Sequence, residues 1–95
     1  MRKLRALIVE DNEDDAVMLL RQLKRDGYDV EFERVDDAES METALTTRKW
    51  DIVLSDYSMP RFDGLMALAI LKKSRIDIPF IVISGTIGEE IAVQA

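Results

Sequence analysis

Leu54-Ser55-Asp56-Tyr57-Ser58-Met59-Pro60-Arg61-Phe62-Asp63-Gly64 is the stretch whose reading decides the fold. The apolar run Ile52-Val53-Leu54 leads into it and has the length and β-branched character of a buried strand. Pro60 and Gly64 then punctuate a loop. One carboxylate, Asp56, is thereby delivered to the point where a strand breaks. Asp51 to Ser55 reads as strand, Asp56 to Asp63 as loop, and Gly64 to about Ser74 as a helix with Leu65, Leu68 and Leu71 inside.

Upstream, Leu4 to Val9 is a second short apolar run, and it ends at the acidic cluster Glu10-Asp11-Asn12-Glu13-Asp14-Asp15. It predicts a buried strand followed by a loop. From about Glu13 to Asp26, Val17, Leu19, Leu20 and Leu23 recur at helical spacing, with acids in the first turn and Lys24-Arg25 in the last. Asn12 is placed to cap that helix and Gly27 to stop it. Val30 to Val35 alternates apolar and polar residues, as a strand wet on one face does, and so belongs at a sheet edge. Asp37 caps a helix carrying Met41, Ala44 and Leu45 that runs to about Lys49. Downstream, Pro79-Phe80-Ile81-Val82-Ile83-Ser84 is a fourth strand. Gly85 to Gly88 is a loop, and Thr86-Ile87-Gly88-Glu89 has the spacing of a capping box opening a last helix.

Strands separated by single helices imply one α/β domain with a parallel sheet, right-handed crossovers and helices on both faces. Ligand sites in such sheets lie beyond the carboxyl ends of the strands. Three of these strands end in polar residues: the first at Glu10-Asp11, the third at Asp56, the fourth at Ser84. Carboxylates about 4 Å apart repel by roughly 4 kcal/mol per pair at an effective dielectric near 20, so a bridging cation is expected. A hard, oxygen-seeking ion such as Mg²⁺ suits that donor set, and it keeps positions for phosphate oxygens.

Composition narrows the chemistry. The 95 residues contain neither His nor Cys, which excludes imidazole bases, Ser-His-Asp triads, thiolate metal sites and disulfides built from this chain. A net charge of −6 argues against binding nucleic acid through its phosphates. The basic N-terminus is followed by apolar residues only from Ala6 to Val9, too few for a signal peptide or a membrane span. A cytoplasmic chain is expected.

Three stretches together resemble the receiver domain of two-component response regulators: Leu7-Ile8-Val9-Glu10-Asp11-Asn12, Asp56-Tyr57-Ser58-Met59-Pro60-Arg61-Phe62-Asp63-Gly64, and Pro79-Phe80-Ile81-Val82-Ile83-Ser84-Gly85. The similarity covers the whole chain. It implies a flavodoxin-like, doubly wound parallel sheet of strand order 2-1-3-4. It implies that Asp56 is the phosphoacceptor, that Asp11 ligates Mg²⁺ directly and Glu10 acts on it through water, and that Ser58 gives the metal its backbone carbonyl. Ser84 is the implied switch hydroxyl, with Gly85 leaving room beside it. The implied partner is a histidine kinase or phosphotransfer domain, whose phosphohistidine gives its phosphoryl group to Asp56. The chain is then an acceptor that phosphorylates itself from a donor, not a turnover enzyme.

Some positions depart from the family pattern. Glu10 stands where aspartate is commoner, which shifts geometry by one methylene, and Ser84 stands where threonine is commoner, which keeps the hydroxyl. The family's lysine at the end of a fifth strand has no counterpart in these residues. Residues 1–95 are therefore expected to be a receiver domain incomplete at its C-terminus, ending within the fourth helix and short of about one α/β repeat, on the order of 30 residues. The strand from Phe80 to Ile83 would then be an open sheet edge, around which a homodimer is expected to form.

Two other functions compete. A pseudo-receiver would serve only for dimerisation or docking, as the missing lysine favours. A small aspartate-nucleophile phosphatase of the haloacid-dehalogenase kind would need D-x-D after the first strand, which Glu10-Asp11-Asn12 does not supply. Among the remaining residues, Glu13, Asp14 and Asp15 read as complements to the helix dipole and Asp63 and Thr86 as helix caps. Trp50 and Met59 read as packing residues, Tyr57 as a neighbour of the site, and Lys72, Lys73 and Arg75 as a solvated helix end.

Overall fold

The computed structural model describes residues 2–56, 62, 64–83 and 90–93. Apolar strands and amphipathic helices alternate along them: β1 (Arg2–Val9), α1 (Glu13–Arg25), β2 (Tyr28–Val35), α2 (Ala38–Thr47), β3 (Ile52–Asp56), α3 (Gly64–Ser74), β4 (Phe80–Ile83) and β5 (Glu90–Val93). They form one sheet of order β2-β1-β3-β4-β5. The β2–β1, β1–β3 and β3–β4 pairs are all parallel. The order 2-1-3-4 is the doubly wound arrangement that the resemblance implies. Helix boundaries follow their caps. Asn12 accepts from the amides of Asp14 and Asp15 at the start of α1, Asp37 accepts from Ser40 at the start of α2, and Gly27 turns the chain out of α1 at φ +94°. Among the described residues no helix is long and apolar enough to cross a membrane.

The chain departs from expectation after Ile83. A fourth helix is expected over the last residues, yet Glu90–Val93 is a strand, paired antiparallel with β4 from Ile83↔Glu90 to Phe80↔Val93. The capping-box residues Thr86 to Glu89 lie outside the described residues. The physical reason for the strand is the sheet edge itself. Without a neighbour, β4 would leave a row of backbone N–H and C=O groups unpaired, and the β-branched residues Ile91 and Val93 suit a strand at least as well as a helical turn. A fifth strand is therefore present, antiparallel to β4, beside the four parallel strands of order 2-1-3-4. The open edge on which the homodimer was reasoned is thus occupied by the chain's own residues.

The sheet carries two unequal cores. On one face α2 and α3 cover Leu7, Val9, Val53, Phe80 and Val82, joined by Val35, Met41, Trp50, Phe62 and Leu71 in one buried cluster. On the other face α1 covers Ala6, Ile8 and Leu54 with Ala16, and Ile52, Ile81 and Ile83 are only partly buried. Alternation along β1 explains the division, because successive side chains point to opposite faces and both faces are covered. Trp50 is a packing residue, as read from the sequence; it is buried and donates its indole N–H to the Ala44 carbonyl at 3.0 Å, while Arg48 stacks over its ring.

Two apolar side chains expected inside lie outside. Leu65 is 71% exposed and Val17 42% exposed. In α3 the buried stripe is Gly64, Ala67 and Leu71, and in α1 it is Ala16 with Leu19, Leu20 and Leu23 at its margins. One residue along a helix is a rotation of about 100°, which carries Leu65 and Val17 off the stripe that starts one position earlier. Small residues, Gly64 and Ala16, are buried on those stripes instead. Leu71→Ala is expected to cost about 2–5 kcal/mol by opening a cavity. Leu65→Ala, the same substitution on the exposed side of the same helix, is expected to stay within about 0.5 kcal/mol, as read from urea denaturation midpoints.

Candidate functional site

Parallel strands that start together end together, and the register of this sheet makes the coincidence exact to the residue. Val9, the last residue of β1, pairs with Ser55 of β3 and with Val35 of β2. One step further along β1 and β3 reaches Glu10 and Asp56. Asp56 closes β3 and pairs with Ile83, the last residue of β4. Three chain segments thus leave the sheet at one edge. Adjacent strands are about 4.8 Å apart, so the main chain leaves the sheet side by side at Glu10 and Asp56. Ser84, next after Ile83 in the chain, lies outside the described residues, as do Tyr57, Ser58, Met59, Asp63, Gly85 and Thr86. The loop after Asp56 has one described anchor. Phe62 is 2% exposed, seated in the larger core cluster.

The acidic loop after β1 is held by its main chain. The Glu10 amide donates to the Val35 carbonyl at 3.0 Å, continuing the β1–β2 ladder one residue past its last pair. Glu10 itself is 8% exposed, and its carboxylate Oε1 accepts from the Asn12 amide at 3.0 Å. Asn12 in turn accepts through Oδ1 from Asp14 N at 2.9 Å and Asp15 N at 3.3 Å. A relay therefore runs from the buried Glu10 carboxylate through Asn12 into the first turn of α1. Asp11, between them, is exposed. Glu13, Asp14 and Asp15 are also exposed and fit the dipole role given them. Among the described residues no group of three or more acidic, histidine or cysteine side chains is gathered to hold a metal.

Arg34 is a site neighbour that sequence reasoning gave no role. Its Nη1 donates to the Glu10 carbonyl at 3.1 Å and lies 4.0 Å from Asp36 Oδ2. A single arginine in an alternating strand carries no local signal of that contact, because the partner is 24 residues away.

A profile of the response regulator receiver domain family matches residues 6–95. The chain belongs to the response regulator receiver domain family. It is 34% identical over 81 residues to the transcriptional regulatory protein PrrA of Mycobacterium leprae, covering 85% of this chain and 34% of that protein. It is 31% identical over 90 residues to the transcriptional regulatory protein RprY of Bacteroides fragilis, covering 94% of this chain and 37% of that one. The chain thus spans little more than a third of these relatives. Among solved structures, the receiver domain of the sensor histidine kinase PA1611 from Pseudomonas aeruginosa PAO1 is similar at a TM-score of 0.68 and 25% identity, covering 86% of this chain and 67% of that one. That structure has a magnesium ion coordinated in the active site cleft. As a receiver domain, this chain is part of a two-component system.

One titration at this edge has a definite sign. Asp37, the cap of α2, has its pKa lowered from the ordinary 3.8, first by the hydrogen bond from the Ser40 side chain and then by the one from the Ser40 amide. A depressed carboxyl stabilises the fold above its unfolded pKa and loses that contribution as pH falls through the folded value. The Tm advantage of the wild type over Asp37→Ala is therefore expected to be flat from about pH 7 to about pH 5 and to shrink below 3.8, in thermal melts followed by circular dichroism.

Proposed function

We propose that this receiver domain accepts a phosphoryl group on Asp56 from the phosphohistidine of a histidine kinase or phosphotransfer domain, and that Mg²⁺ assists the transfer. The observation that carries the reading is the register of β1 against β3, whose next step brings the Glu10-Asp11 loop level with Asp56. The relatives named as regulators and the magnesium in the cleft of a similar receiver domain lend it support.

The donor set suits the ion. Glu10 and Asp11 offer hard carboxylate oxygens at the end of β1, and the proposed set is completed by Asp56 and the Ser58 backbone carbonyl, with Glu10 acting through water. Mg²⁺, when bound, offsets the negative charge of the carboxylates and the incoming phosphoryl oxygens. The chain's own residues do the rest. A carboxylate oxygen of Asp56 attacks phosphorus in line, forming the O–P bond while the P–N bond to the donor imidazole breaks and its electron pair returns to the ring nitrogen. Ser84 donates its hydroxyl hydrogen to a phosphoryl oxygen and reports the new charge to the rest of the domain. Catalysis of this kind is positioning and charge neutralisation, with little covalent work for the protein. The domain is a stoichiometric acceptor in the cytoplasm, and what it switches belongs to an output beyond this domain.

Incubation with a small phosphodonor such as acetyl phosphate and Mg²⁺ tests the reading by intact-mass measurement. One phosphoryl group per chain is expected, labile to hydroxylamine as an acyl phosphate is, and absent from Asp56→Asn. Continuous release of phosphate without an adduct would point to a phosphatase. Failure of the wild type to label would leave a docking module.

A further inference from the structure

In a parallel ladder each inner residue gives its N–H to one neighbour and its C=O to another two positions further along the partner strand. Glu10 has the first of these bonds, to Val35 O, so continuation would bring its carbonyl to the amide of residue 37. That amide is not in the sheet. Asp36 leaves the strand and Asp37 turns away as the cap of α2. The Glu10 carbonyl instead accepts from the Arg34 guanidinium at 3.1 Å. A side chain of β2 has taken the place of the ladder bond that β2 no longer supplies. The same Nη1 lies 4.0 Å from Asp36 Oδ2, and the Arg34 side chain is one-third exposed.

The carbonyl so held is that of the peptide joining Glu10 to Asp11. With its N–H on Val35 and its C=O on Arg34, Glu10 cannot swing as loop residues do, and the direction in which the chain presents Asp11 is set. The other end of the loop is tied by the bond from the Asn12 amide to Glu10 Oε1. We propose that Arg34 is a positioning residue for the acidic loop, holding Glu10 and Asp11 in the geometry that takes the divalent cation. The inference rests on the cation-assisted reading above. In this role Arg34 acts through the main chain of Glu10 rather than as a ligand.

Geometry and charge make opposite predictions, which allows a clean test. A guanidinium near the site repels a cation, so if its charge were what mattered, removing it would tighten binding. If its hydrogen bond matters, removing it loosens binding, by about tenfold as for other residues that orient metal ligands. Mg²⁺ is titrated calorimetrically into the wild type, Arg34→Met and Arg34→Lys, with amide hydrogen exchange followed at Asp11 and Asn12. Arg34→Met keeps an apolar stem and loses the donors. It is expected to bind Mg²⁺ about tenfold more weakly and to exchange faster at both amides. Arg34→Lys keeps a donor within reach and is expected to recover most of the affinity. Equal or tighter Mg²⁺ binding by Arg34→Met would overturn the proposal, as would a lowered Tm with unchanged affinity. Wild-type protein that binds no Mg²⁺ would overturn the cation reading along with it.

Discussion

Everything at the carboxyl edge depends on the register of β1 against β3. That register is pinned at its beginning by a reciprocal pair of bonds, in which the Asp51 amide donates to the Arg5 carbonyl at 2.8 Å and the Arg5 amide to the Asp51 carboxylate at 2.8 Å. From there the strands run in step to Val9↔Ser55. A slip of one residue would reverse the faces, sending Leu7 and Val9 toward α1 and Ala6 and Ile8 toward α2 and α3. It would also take Glu10 out of step with Asp56. The constraint that builds the core therefore also sets where Glu10 and Asp56 leave the sheet.

Backbone amides hold the acidic loop. The only salt bridges among the described residues lie along β2 and its neighbours, where Glu31 and Glu33 meet Arg5 and Arg48 at 3.7–3.9 Å and Arg34 meets Asp36 at 4.0 Å. All involve partly exposed side chains, and such pairs contribute little stability. At the acidic loop the work falls to amides: Asn12 N on Glu10, and Asp14 N and Asp15 N on Asn12. Amide donors at a helix N-terminus favour negative charge nearby, so α1 faces its positive end toward the acids that precede it. The buried Glu10 carboxylate accepts the first of these bonds.

The two faces of the sheet serve different ends. The α2–α3 face holds the larger cluster and takes in Phe62. Among the described residues the α1 face has four buried residues and leaves three isoleucines partly covered. Loops carrying chemistry on rigid strand ends are a general arrangement, because precision comes from the scaffold and freedom from the loop. Here β1 and β3 reach Glu10 and Asp56 at the same edge of the same sheet.

The sequence by itself determined the features that local chemistry governs. Asn12 and Asp37 read as caps and are caps, Gly27 ends α1, the alternation of β2 places it at the edge, and the apolar runs of β1, β3 and β4 are strands, because each rests on bonds or burial within a few residues. The motifs around Glu10-Asp11, Asp56 and Ser84 likewise indicated the family, since their residue types stand at strand ends that the alternation of elements already located. Tertiary structure alone decided the rest. It placed Glu90–Val93 in a strand because β4 had an edge to satisfy, turned Val17 and Leu65 outward because the buried stripes run through Ala16 and Gly64, and brought Arg34 to the Glu10 carbonyl across 24 residues. Those outcomes depend on which surface a residue meets after the chain has folded, and the spacing along a sequence does not record that.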